Sequence, residues 1–368
     1  MTHWRSGTVL REVRRWRGAV EYAVRLAPDG AEARALAYPD VVGEPEPGDR
    51  VLCTVSALAL GLGTGGLAMV VALPDRLPAD PPAGAGHIVK ARYTPLQQVV
   101  LAVDEQDSPH HDLLAAADSL EGAPVVVADL HSALPAVLAG IRATRPGTRV
   151  VHVATDGGAL PLVFSRTVAG LRDAGWLAGS VTVGQAYGGD LEAVSLHSGL
   201  LAARHVAGAE VVVVVQGPGN AGTGTPWGYS GVAVVEALHA AAVLGGAGVA
   251  SLRVSQADPR ARHRGVSHHS RTAYGRALLS PALVPVPLLD REDVGEGAIG
   301  AEVARQAAAL AATATAPLTL VDVPTTGLST VLRECPVELS TMGRGLREDP
   351  AAFLAAAAAG RAAAELLS

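Results

Sequence analysis

Lysine and asparagine are almost missing from this chain. Of its 29 Lys and Arg residues one, Lys90, is lysine, and Asn220 is the sole asparagine. Such usage is the coding bias of a GC-rich bacterium, where arginine takes any position at which a surface charge suffices. It makes both exceptions candidates for a chemical need. Cysteine is also scarce. Cys53 and Cys335 are too few for a disulfide framework and lack CxxC spacing, which points to a reducing compartment. Aromatics are 3% of the residues, so Ala, Val, Leu and Gly must supply the apolar surface; at 49% hydrophobic, they suffice for one large core or two smaller ones. The net charge of -6 gives no general attraction for nucleic acid or anionic lipid. The first residues lack an apolar core of signal-peptide length. Residues 51–73 carry no charge, but GLGTGG interrupts them and no Trp or Tyr flanks them. Two buried strands joined by a glycine turn are expected there, in a cytoplasmic chain without a membrane partner.

Two patterns divide the chain. Residues 1–92 read as an all-β, barrel-like domain. Its strand candidates SGTVLREVRR, GAVEYAVRLA, AEARALAY, GDRVLCTVSA and GLAMVVAL are separated by APDG, GEPEPG and GLGTGG. PDRLPADPPAGAG reads as a linker or edge loop. Residues 93–345 alternate strands (98–103, 124–129, 149–154, 180–183, 210–216, 249–255, 318–323) with helices (112–120, 133–144, 161–174, 191–206, 232–244, 299–313). This predicts an α/β, Rossmann-like, mostly parallel sheet covered by helices on both faces. Residues 346–368 form an Ala-rich helix expected to pack on the outside.

Polar residues gather where the predicted strands end, the side on which open parallel sheets bind ligands. They include Asp129, His131 and Ser132 in DLHS, Asp156 in TDGG, and Asp190 with His197 in the segment after the fourth strand. The run EVVVVVQGPGNAGTGTPWGYSG passes from a buried strand into a glycine loop. Gly217, Gly219 and Gly222 match GxGxxG, but so does GLGTGG. The acid a dinucleotide site needs about 20 residues later is missing, as is the GK[ST] of a P-loop. No NAD or P-loop signature remains. A general anion cradle does, built by Gly217, Gly219, Asn220, Gly222, Thr223 and Thr225. A strained corner packed under Trp227 is its structural alternative.

The densest polar segment, DPRARHRGVSHHSRTAYGR, offers Arg262, Arg264 and Ser267 to a phosphate or carboxylate. His268 and His269 are adjacent, so on a strand one alone would enter a site. Lys90 is a further anion-binding candidate at the domain junction. A divalent metal would find scattered ligands in His131, Asp156, Asp190 and His268. Otherwise His131, His197 or His268 would move protons, with Asp156 or Asp190 orienting it.

GHIVKARYTPLQ, DLHSALP, TDGGALP, GGDLEAVSLHSGLLAARH, QGPGNAGTGTPWGYSG and DPRARHRGVSHHSRTAYG together resemble a bacterial family, domain of unknown function 3866. The likeness spans nearly the whole chain and implies one site spread over these loops, without naming a reaction. A narrower likeness, over residues 217–252, is to substrate-binding subunits of glycine-reductase-type selenoenzymes. Their reactive cysteine or selenocysteine motif is absent, so the likeness does not extend to reductase chemistry.

The resulting expectation is a hydrolase or group transferase acting on a small phosphorylated or carboxylated metabolite, with a homo-oligomer left open. Its alternative is a non-catalytic ligand-sensing or assembly factor. There the β domain would contact protein or RNA through Arg11, Arg14, Arg15 and Arg17 with Trp4 and Trp16, although the overall charge disfavours nucleic acid.

Overall fold

The computed structural model describes residues 2–62, 65–80, 84–295 and 299–367. Gly63 and Thr64 of GLGTGG and residues 81–83 of the proline-rich piece lie outside the described residues. The chain forms two compact units, Met1–Leu101 with Val163–Ala169, and Ala102–Leu162 with Gly170–Ser368.

The first unit holds a closed five-stranded barrel of order β1-β2-β3-β5-β4. Its strands are β1 (Trp4–Trp16), β2 (Ala19–Leu26), β3 (Glu32–Ala37), β4 (Arg50–Thr54) and β5 (Ala68–Ala72). β1 closes it because one long strand pairs with both β2 and β4, turning between them through two register shifts. Val9, Val20, Tyr22, Val24, Val51, Cys53 and Val70 fill the interior. The uncharged run 51–73 thus holds β4 from Val51 onward and β5, which pair antiparallel, and a short helix, Ser56–Ala59, follows β4 before the glycines. Among the described residues no helix is long and apolar enough to cross a membrane. This unit reaches Leu101 because β6 (Ile88–Lys90) pairs with β7 (Gln98–Val100) across residue 92. Of the strand predicted at 98–103, residues 98–100 pair in this hairpin, whereas Ala102 forms an isolated parallel bridge with Glu192 and the Val103 amide donates to the Glu192 carbonyl.

In the second unit eight parallel strands lie in the order β11-β10-β9-β12-β8-β13-β16-β17. They are β8 (Pro124–Val127), β9 (Val150–Thr155), β10 (Gly179–Thr182), β11 (Leu191–Glu192), β12 (Val211–Gln216), β13 (Ala247–Ala250), β16 (Ala282–Leu288) and β17 (Leu318–Pro324). A two-stranded antiparallel piece, β14 (Val254–Ser255) with β15 (Gly265–Val266), follows β13. Every residue of β12 is buried, as expected of a β-branched strand inside a covered sheet. β12 inserts between β8 and β9, so the connections leaving β8 and β12 run in opposite directions. A crevice forms at such a switch point, beyond the strands' carboxyl ends.

Three predicted elements differ. Residues 191–192 form the edge strand β11, and the helix starts later, at Leu196, after a Ser195–Ser198 capping box. β16 was not expected, because Pro285 and Pro287 argue against an internal strand. Both are accommodated because β13 stops pairing with β16 after Leu283, while the ladder to β17 runs from Ala282 to Leu288. The C-terminal helix Pro350–Glu365 is not external. Nearly all of it is buried against the helix Leu134–Thr144 and the sheet. Glycines make the approach close: a Cβ on Gly140 would sit 1.8 Å from the Ala357 carbonyl oxygen, and one on Gly360 1.9 Å from that of Val137.

Candidate functional site

Asp129 lies two residues beyond β8, and the chain after β13 runs through Ser251 and Arg253 into β14. The two ends are tied together: the buried Tyr274 hydroxyl donates to the carbonyl of Ser251 at 3.0 Å. The Arg253 amide donates to Ser270 Oγ at 2.9 Å, and the Ser267 amide donates to the Arg253 carbonyl at 2.8 Å. β15 is fixed from the far side by Gln306, whose Oε1 accepts from the Val266 amide at 2.6 Å. Gly265 is required in that turn, since its φ is +69° and a Cβ would meet the same Oε1 at 2.3 Å.

These anchors bring His263, His268 and His269 together. One ring nitrogen of each lies within 4.8 Å of the other two. Ring centroids are 4.7 Å apart for His263 and His268, 5.0 Å for His263 and His269, and 4.4 Å for His268 and His269. The adjacent histidines both face the cluster because they open a short helix, His268–Thr272. Successive side chains there diverge by about 100°, against about 180° on a strand. Ser267 caps this helix, accepting from the His269 amide, and its Oγ lies 2.8 Å from His263 Nδ1. Tyr229 stacks on His269 at 3.8 Å and donates its hydroxyl to the His269 carbonyl.

Asp129 and Arg253 stand beside the cluster. Asp129 Oδ2 is 3.2 Å from Arg253 Nη1 and 3.3 Å from His269 Nδ1, and Arg253 Nη1 is 2.8 Å from the same Nδ1. One nitrogen cannot donate to Asp129 and accept from Arg253 at once, so His269 has two tautomers available, each matched by a partner. Burial pushes the Asp129 carboxyl up, but Arg253 and His269 outweigh it and hold the group below its ordinary value. Burial lowers His263 to about 3, helped by the Arg253 and Arg260 charges. It lowers His268 to about 4, helped by His269 and Arg262. Both imidazoles are therefore neutral at pH 7. The buried Nε2 of His268 has no hydrogen-bond partner among the described residues.

A cavity of about 40 Å³ adjoins Asp129, Arg253 and His263 and extends to Ser132, Thr341 and Arg344. Its far wall is an ionic network. Asp349 accepts from Ser255 Oγ at 2.5 Å, the Gln256 amide at 2.9 Å and Arg344 Nε at 3.0 Å. Asp258 pairs with Arg260, which holds its carboxyl far below the ordinary range.

The glycine loop is explained by packing and internal pairing. A Cβ on Gly158 would meet the Gly217 carbonyl oxygen at 2.1 Å, and one on Gly217 the Ala159 carbonyl oxygen at 2.3 Å. TDGG and QGPG are thus glycine-rich because their backbones touch. The next residues bond to one another: Thr223 N to Gly228 O, Gly228 N to Thr225 Oγ1, and Ser230 N to Ala221 O. Asn220 Oδ1 accepts from Ser230 Oγ at 2.7 Å and so pins the loop base. Gly219 and Gly222 lie on its exposed part, as do Thr223 and Thr225.

The other predicted residues scatter. His131 is buried at the switch point, its Nδ1 3.1 Å from the Gln216 carbonyl oxygen, and burial lowers it to about 4. Exposed Asp156 accepts from the Gln185 amide. Asp190 lies at the amino end of β11, clamped by Arg172 and Ser180, away from the strands' carboxyl ends. His197 is exposed on the helix Leu196–Leu201. Arg262 and Arg264 are exposed beside the cluster, with Arg262 Nη2 3.8 Å from a Cβ built on Gly224. Lys90 is buried in β6 of the first unit. In that unit Arg15 pairs with Glu12 and Glu44, and Arg11 with Glu32, so much of the basic cluster of β1 is neutralised.

Of the predicted set, His268 and Ser267 fall inside the cluster. His263, His269, Asp129 and Arg253 complete it. The histidines have density as their signal, three within seven residues of one polar segment, H-x4-H-H, and Asp129 has its place in DLHS at a strand end.

A mixed α/β chain with a closed barrel and an eight-stranded parallel sheet is the class defined by this fold. The family model described as "Protein of unknown function (DUF3866)" matches residues 34–360, and the chain belongs to that family. Neither the curated proteins nor the solved structures give a significant match.

Proposed function

We propose that this protein is an enzyme, a hydrolase or group transferase, acting on a small phosphorylated or carboxylated metabolite at the carboxyl ends of β8, β12 and β13. The observation that carries this reading is the packing of three histidines against the buried Asp129–Arg253 pair beside the switch point. Two of the imidazoles are neutral at physiological pH and so keep lone pairs for a proton or another electrophile. Asp129 lies within reach of His269 Nδ1, where it selects a tautomer and orients the ring. Arg262 and Arg264, exposed on the same segment, offer guanidinium groups to an anion. Proton acceptors beside fixed cations suit a reaction in which an oxygen nucleophile attacks a phosphoryl or acyl centre and negative charge develops.

Thermal unfolding of the full chain against phosphomonoesters, carboxylic acids and inorganic phosphate tests the reading. A ligand at 100 times its Kd stabilises by about 2.7 kcal/mol. At least one anion class is expected to raise Tm, and Arg262→Ala/Arg264→Ala to abolish the shift. No shift from either class, or a shift that survives the double substitution, overturns it.

A further inference from the structure

We infer that His263, His268 and His269 form a binding site for one divalent transition-metal ion, with Asp129 and Ser267 orienting two of the ligands. This deepens the proposed function by naming a cofactor for the same site, but binding of the metal does not depend on that function being correct.

Three observations converge. One ring nitrogen from each histidine lies within 4.8 Å of the other two, near enough for a single ion to draw them to the roughly 3.3 Å spacing of tetrahedral ligands at about 2.0 Å. Edge-to-face ring contacts account for part of this packing but do not require one nitrogen from every ring to approach the other two. His268 supplies the second observation: its Nε2 is buried without a hydrogen-bond partner among the described residues. A buried nitrogen left unmatched is destabilising unless something occupies the place of its partner.

The third observation is the outer partners. Metal-bound histidines commonly donate their other ring N–H to a carboxylate, carbonyl or similar acceptor, which fixes the tautomer. His263 Nδ1 has Ser267 Oγ at 2.8 Å, and His269 Nδ1 has Asp129 Oδ2 at 3.3 Å. With Nδ1–H donating in both, each Nε2 presents its lone pair. Tyr229 holds the His269 plane by stacking. Arg253 is the neighbouring cation, and Asp129 balances its charge at 3.2 Å. When His269 takes the Nδ1–H tautomer that leaves Nε2 free for a metal, Arg253 can no longer donate to Nδ1 and keeps Asp129 as its partner.

The donor set selects the metal. Three neutral imidazole nitrogens favour Zn²⁺, Co²⁺, Ni²⁺ or Cu²⁺ over the oxygen-seeking Mg²⁺ and Ca²⁺. Three protein ligands also leave a position open, the arrangement of catalytic rather than structural zinc sites.

The test uses the full chain, stripped with chelator and titrated with CoCl2, then with ZnSO4 in competition. One equivalent of Co²⁺ per chain, with visible ligand-field bands displaced by Zn²⁺, is expected. His268→Ala should weaken Co²⁺ binding at least 100-fold, and Asp129→Asn by 10–100-fold, the range for losing an outer partner. His197→Ala, an exposed histidine outside the cluster, should change nothing. Circular dichroism establishes that each variant is folded, and His268→Gln replaces His268→Ala if the latter is not. Binding of less than one equivalent, binding unchanged in folded His268 variants, or equal loss in His197→Ala would overturn the proposal.

Discussion

Lowering the pH should destabilise this protein through two buried histidines outside the cluster. His152 lies on β9, wholly buried, with Nδ1 3.1 Å from the Val213 carbonyl oxygen and Nε2 unpartnered among the described residues. The His131 ring is 6.2 Å away. Burial lowers His152 to about 3 and His131 to about 4, against an ordinary value of 6.5. Because the folded values lie below the unfolded one, the unfolded chain takes up protons first. The stabilisation is complete above about pH 6.5 and is lost as pH falls toward the folded values. From pH 7 to pH 5 an unfolded histidine changes from mostly neutral to mostly charged while the buried one stays neutral, a loss of about 2 kcal/mol each and ~4 for the pair. Urea unfolding at both pH values, with chelator present, reads the loss. His263 and His268 act in the same direction, so the comparison that isolates His152 is wild type against His152→Leu. The variant should lose about 2 kcal/mol less between pH 7 and pH 5. Equal losses in both proteins would refute a neutral, buried His152.

Other perturbations test the frame around the site. Gly140→Ala places a methyl group 1.8 Å from the Ala357 carbonyl oxygen and should cost about 3 kcal/mol in urea unfolding, despite the ~1 kcal/mol alanine gains over glycine in a helix. A stable variant would mean the two helices are farther apart. Asp349→Ala leaves Arg344 with Asp258 as its acidic partner and deprives Ser255 Oγ and the Gln256 amide of their acceptor; a loss of about 2–3 kcal/mol is expected, readable as a lower urea midpoint. Burial raises the Cys53 thiol to about 12, so iodoacetamide at pH 8 should leave Cys53 unmodified until the chain is denatured, as mass spectrometry of tryptic peptides would report.

Period and punctuation carried much of the architecture. The five strand candidates before residue 74 are the five barrel strands, because each is a short β-prone stretch set off by turn residues. The all-valine run 211–215 marks a central strand for the same kind of reason. β16 was hidden because its prolines contradict strand propensity, and only the pairing of its neighbours shows that they break no ladder. The C-terminal helix misled because alanine contacts count for little in a hydrophobic pattern, yet alanine and glycine permit the closest helix approach. At the site, sequence placed polar residues at strand ends but could not say which of them meet. His268 and His269 share a cluster because a helix begins there, and Asp129 reaches them through pairing 140 residues away in the chain. The glycines of QGPG also answer a demand that the local sequence does not show. Their backbones meet those of TDGG, a long-range contact with the local appearance of a phosphate loop.

What the three clustered imidazoles hold decides the chemistry open to this site. X-ray absorption spectroscopy of the full chain loaded with one equivalent of Zn²⁺ measures that directly. Three imidazole nitrogens at about 2.0 Å, with the outer-shell scattering of histidine rings, are expected, together with one further light ligand. Loss of the three-histidine pattern in His268→Ala would complete the agreement. A first shell dominated by oxygen, a sulfur ligand from Cys335, or an imidazole count unchanged in His268→Ala would contradict it.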